Sequence, residues 1–93
     1  MTLINQLFKS CKFYTTKIIA SVFTDCTFID CDFTASEMFN VKFENCLFRG
    51  CNFTDVEMQD VNAETSKKVN CILNDIDLSK NVKGFTTDDT KII

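Results

Sequence analysis

The chain has 93 residues, a net charge of −3 and a pI near 4.7, so it is sized for one domain and its bulk charge repels nucleic acid. It has no His, which removes the commonest general base, and no apolar stretch near the ~18 residues that cross a membrane. Ten Phe against one Tyr, no Trp and no Pro mean that one large apolar slot is filled repeatedly, with turns made without the usual punctuation.

From the N-terminus, Leu3, Phe8, Phe13 and Ile18 recur at intervals of five, and the series runs on through Phe23, Phe28, Phe33, Met38, Phe43, Phe48, Phe53 and Met58. Two residues before each from Phe8 on stands a small or β-branched residue, as at Cys11, Thr16, Ser21, Cys26, Cys31, Ser36, Val41 and Cys46; Gln6 departs from this in the first coil. Five residues rotate a helical side chain by about 140°, which scatters the Phe set around the cylinder. On a flat strand an odd period alternates faces. The pattern is satisfied only if the chain turns by the same angle in every repeat, with the small and large residues both pointing inward. Cys11, Cys31, Cys51 and Cys71 are twenty apart, as are Ile18, Met38, Met58 and Leu78. Twenty residues per coil means four sides, with coils stacked at about 4.8 Å. The predicted fold is an all-β solenoid, a β-helix of about four coils.

Further along, Ala63 and Lys68 fill the large slot poorly, yet Cys71/Leu73 and Ile76/Leu78 return in phase. Residues 62–70 read as a worn repeat or a bulging loop of unchanged length inside a solenoid spanning 1–80. Residues 81–93 lose the period. Val82, Phe85, Ile92 and Ile93 are expected to cap the open end or to form a contact there, a homodimer through the C-terminal end included.

The outward positions divide unevenly. Two neighbouring sides collect Asp32, Glu37, Asp55, Glu57, Asp60, Asp75 and Asp77, with Lys80 the one base near them and Lys12 and Lys17 in the first coil. The other two mix Lys9, Lys42, Arg49, Lys67 and Lys68 with Asp25, Asp30, Glu44 and Glu64. Phe39 stands among the acids, an aromatic anchor in a charged rim. Carboxylates alone also keep a small solenoid soluble.

The thiols leave successive coils in one direction and fill the small slot, unlike zinc ligands, which converge tetrahedrally in close pairs; packing is the expected role and no metal or cofactor is expected. Parallel side-chain vectors also disfavour disulfides between coils. The N-terminus lacks a charged segment followed by an apolar run and a small-residue cleavage site, so a cytoplasmic protein with reduced thiols is expected. Without a phosphate loop or an enclosed pair of carboxylates, an enzyme is not expected.

Segments such as Cys26-Thr27-Phe28-Ile29-Asp30 and Cys51-Asn52-Phe53-Thr54-Asp55 resemble the pentapeptide-repeat family: a small residue, a polar one, Leu or Phe, then two variable positions. The resemblance covers about four-fifths of the chain and implies a right-handed quadrilateral β-helix. Some members of that family are acidic mimics of duplex DNA that bind type II topoisomerases and confer quinolone or antibacterial-peptide resistance, typically as dimers of longer chains.

The functional expectation is a non-catalytic inhibitor or modulator whose acidic face engages a protein with a basic nucleic-acid-binding groove. That protein is expected to be a type II topoisomerase or, if the gene is phage-borne, a bacterial defence or CRISPR nuclease. Direct binding of nucleic acid or membrane is not expected. The composition, rich in Lys, Asn, Ile and Phe, suits a phage or mobile element. The alternative is a scaffold or interaction module without mimicry, assembling through Phe39 and the C-terminal tail.

Overall fold

The structure, a computed structural model, describes residues 1–74 and 76–85. Short strands wind around a Phe core in a four-sided solenoid. On one side and its neighbour run β1 (Thr2–Ile4), β3 (Lys17–Thr24), β5 (Glu37–Glu44), β7 (Glu57–Asn62) and β9 (Val82–Lys83), stacked in parallel in that order. A further side stacks β2 (Leu7–Lys9), β4 (Thr27–Ile29), β6 (Leu47–Arg49) and β8 (Lys67–Val69). The fourth carries the isolated bridges Lys12↔Asp32, Asp32↔Asn52 and Asn52↔Ile72. The register is twenty residues: Phe8 lies on Phe28, Phe28 on Phe48, and Met38 on Met58.

The corners are made by backbone handedness. Every fifth residue from Asn5 to Asp60 has a left-handed backbone, with φ between 50° and 65°. Eight of these twelve are Asn, Asp or Gly, the residues that enter this region at least cost. At three corners the turn closes with a hydrogen bond of the β-turn type: Thr16 N–H to Phe13 O, Ser36 N–H to Phe33 O and Val56 N–H to Phe53 O. Positive φ at the third residue makes these type II turns. In β3 and β5 the strand runs straight through such a corner at Ala20 and Asn40.

Inside, rings stack coil on coil: Phe8–Phe28 and Phe28–Phe48 at 4.8 Å, Phe13–Phe33 and Phe33–Phe53 at 5.0 Å, Phe23–Phe43 at 5.1 Å. Rings from neighbouring sides meet edge-on, as Phe43–Phe48 at 5.0 Å and 78°. Both geometries suit the ring quadrupole, at about 0.5–1.5 kcal/mol per pair beyond area burial. The small slot is a ladder of thiol donors. Cys31, Cys46, Cys51 and Cys71 each reach the carbonyl two residues back and another 23 residues back, on the coil below, at 3.2–3.6 Å. All six thiols are free. Burial pushes the Cys31 and Cys46 thiols up, and the Cys71 thiol together with burial does the same to Cys51.

In the fourth coil the worn-repeat alternative holds, while Lys68 and the register beyond residue 74 differ from the sequence expectation. Residues 62–70 stay in the coil, as β8 pairs with β6 in the twenty-residue register. Lys68, expected among the surface charges, points inward and is buried; its ammonium donates to Ser66 O and sits 5.8 Å from the Phe85 ring centre. Beyond residue 74 the register lengthens by one, Val61 pairing with Val82 and Asn62 with Lys83. Leu78 is accordingly exposed, so the Ile18–Met38–Met58 column ends at Met58.

Ala63 explains the worn slot. Its small side chain leaves the core open above Phe43, Phe48 and Phe53, and Phe85 turns in to fill it, buried and edge-on to Phe53 at 5.4 Å. Gly84 permits the entry: its φ is 88°, and a Cβ there would run into the Ala63 carbonyl. Val82 is buried beside it. Ile92 and Ile93 lie outside the described residues.

Candidate protein-binding face

β3, β5 and β7 bring Lys17, Glu37 and Glu57 into one outward column, with Ile19, Phe39 and Gln59 beside it. A twenty-residue register places neighbours about 4.8 Å apart, so Glu37 and Glu57 share one field. Lys17 answers the first of them at 3.8 Å from Glu37, an exposed pair of small energetic weight.

Phe39, Asp55, Glu57, Asp77 and Lys80 line one shallow depression together with Val56 and Met58. Asp55 holds the left-handed corner position and Glu57 begins β7, so both carboxylates are exposed. Phe39 is half-buried, its ring a wall of the depression. The Ser79 hydroxyl and amide hold the Asp77 carboxyl below its usual range, so it is ionised at neutral pH.

Two other candidates are bound to their surroundings. Asp32 Oδ1 accepts from the Thr34 amide at 2.9 Å and from its hydroxyl, which lowers the carboxyl's pKa. Asn52, one coil on, makes the same contacts with Thr54. Asp32 therefore stands in a column of Lys12, Asn52 and Ile72, not in a stack of acids. Asp60 accepts from the Asn81 amide at 3.0 Å, as Asp25 accepts from Asn45 at 2.7 Å. Asp75 lies outside the described residues. The acidic side is thus a cluster of Asp55, Glu57 and Asp77 around Phe39, flanked by Glu37, instead of an unbroken strip.

Pattern reading did not find Lys17, Thr34 and Asn81 as partners of Glu37, Asp32 and Asp60. Lys17 and Thr34 were within reach of it, since the twenty-residue register sets Lys17 under Glu37 and an Asp two residues before a Thr is a common turn pair. Asn81 was not, because the added residue shifts it by one.

No curated protein matches the chain. A solved structure similar to it is that of trypsin-treated QnrB1, a plasmid-mediated fluoroquinolone resistance protein, at 12% identity and a TM-score of 0.27. The likeness covers 77% of this chain and 60% of that one. The family described as pentapeptide repeats matches residues 18–55 and 31–66 in eight copies, just over half of the sequence. With its period of five, four-sided coil and stacked Phe slots, this chain belongs to the pentapeptide-repeat family.

Proposed function

We propose that the chain is a non-catalytic binding protein that sets the Asp55–Glu57–Asp77 cluster, with Phe39 at its centre, into the basic nucleic-acid-binding groove of another protein. The repeat fold supports a protein-interaction role. The observation that carries the finer reading is the depression itself, where three exposed carboxylates and Lys80 share the lining with the Phe39 ring on one side of the solenoid. A groove lined with Lys and Arg is drawn to such a cluster at long range, and the ring supplies the desolvated anchor. A type II topoisomerase or a bacterial defence nuclease has the required groove, and occupying it displaces DNA.

The reading is tested by inhibition of DNA supercoiling by a type II topoisomerase, followed from about 50 to about 300 mM salt. Inhibition that fades steeply with salt is expected, because the attraction is between exposed charges. Inhibition that ignores salt refutes it. A scaffold without mimicry draws on the pairing of Glu37 with Lys17 and on Lys80 in the lining of the depression, which offset part of the negative charge. A captured partner with no nucleic-acid site favours that second reading.

A further inference from the structure

The two ends of the solenoid are finished differently. At the C-terminal end β9 adds two paired residues, and Phe85 then closes the core. At the other end the mouth of the first coil is open: Leu3, Phe8 and Phe13 are only half-buried, and with Ile18 they line an apolar cavity. Around the rim Met1, Ile4, Leu7 and Ile19 are each more than half exposed.

The rim also carries unused backbone groups. Val22 N–H donates to Met1 O and Asn5 N–H to Thr24 O, while Thr27 N–H donates to Gln6 O and Ser10 N–H to Ile29 O. Alternate residues of a parallel ladder bond to opposite neighbours, so Thr2, Ile4, Leu7 and Lys9 turn their amides to the open side together with the carbonyls of Thr2 and Leu7, while Ile4 O accepts from Gln6 Nε2 at 3.0 Å and Lys9 O from Cys11 Sγ at 3.7 Å. β1 and β2 are edge strands of their sheets. An exposed apolar edge is a template for another strand.

The charge selects the partner. Residues 1–24 contain Lys9, Lys12 and Lys17 and no Asp or Glu. A second copy docked mouth to mouth brings these cations together, which disfavours it. A lipid surface leaves the edge amides without hydrogen-bond partners in hydrocarbon, which disfavours it.

We propose that the N-terminal mouth docks an extended, acidic segment of a partner protein, which pairs with the edge of β1 or β2 and seats one apolar side chain in the mouth. The C-terminal cap is the precedent within this chain, since two paired residues suffice there to seat Phe85. This site is separate from the acidic cluster and stands or falls without it.

The probe is a synthetic peptide, acetyl-Glu-Val-Glu-Phe-Asp-amide, added to the 93-residue chain. Tyr14, half exposed on the first coil, is the only Tyr in a chain without Trp, so its emission reports on this end. The peptide is expected to change that emission and to slow amide exchange about tenfold at Thr2, Ile4, Leu7 or Lys9, sparing the alternate residues. Lys9→Glu with Lys12→Glu is expected to weaken binding at least tenfold with an unchanged circular dichroism spectrum. Equal protection by the peptide with Lys in place of its acids overturns the proposal. So do absence of protection at millimolar peptide, dimerisation through this end, and binding of phosphatidylserine vesicles in place of the peptide.

Discussion

Phe85 closes the core only because Ala63 leaves room, and this coupling can be measured. Phe85→Ala removes a ring that is 2% exposed and lies within 6.5 Å of three other ring centres. Buried Phe→Ala changes cost about 3–5 kcal/mol, and the lower figure is the minimum expected here. For a domain of this size about 3 kcal/mol lowers Tm by roughly 12–24 °C. Ala63→Phe restores the repeat's large slot but drives a ring into the space of Phe85 and Gly84, at about 1–3 kcal/mol or more. The double variant exchanges one ring for the other, so urea denaturation followed by circular dichroism should show it more stable than the sum of the two losses by at least ~1 kcal/mol. Strict additivity, or a Phe85→Ala variant within ~0.5 kcal/mol of the parent, refutes the plug.

Three further outcomes follow from single side chains. Ser36 Oγ is buried without a hydrogen-bond partner, whereas Ser21 and Ser66 donate to Ile19 O and Phe43 O. Ser36→Ala is therefore expected to raise the unfolding free energy by about 1 kcal/mol, seen as a higher urea midpoint, and a loss of stability contradicts this. Ala35 holds a left-handed corner at φ 58°, so Ala35→Gly relieves about 1–2 kcal/mol of strain against a smaller entropic loss, for a net gain near 0.5 kcal/mol; an unchanged or lower midpoint counts against the strain. Asp32→Asn copies Asn52 and should leave stability within about 0.5 kcal/mol at neutral pH. Because Thr34 lowers the folded pKa of Asp32, its charge contributes fully above the unfolded value near 4, and the contribution is lost as pH falls through the folded value. The Asn variant should lack that part of the acid-induced loss, and identical pH profiles of parent and variant contradict it.

The spacing of Phe and Cys contained the coil, its four sides and its core, because an inward slot that recurs every five residues has one geometric solution. The corners were legible too, in Asn5, Asp25, Asp30, Asn40, Asn45 and Gly50, once left-handed backbone is recognised as the turn device. The far end was not. A one-residue lengthening after residue 74 moves Leu78 outward and Asn81 onto Asp60, and no periodic reading registers a single added residue. The burial of Lys68 escaped for a related reason: its slot is read correctly only when Phe85, seventeen residues on, is seen beside it. On the acidic face, the spacing of the acids was plain from sequence, but their pairing with Lys17, Thr34 and Asn81 belongs to the fold.

The most direct test of the functional account is charge reversal on that face. Glu37, Asp55, Glu57 and Asp77 are outward-facing, so changing all four to Lys leaves the Phe stack in place. The variant should keep the parent's circular dichroism spectrum and cooperative unfolding while losing its ability to compete with duplex DNA for the basic groove of its target. A folded variant that still binds and inhibits at the parent's concentration contradicts the account.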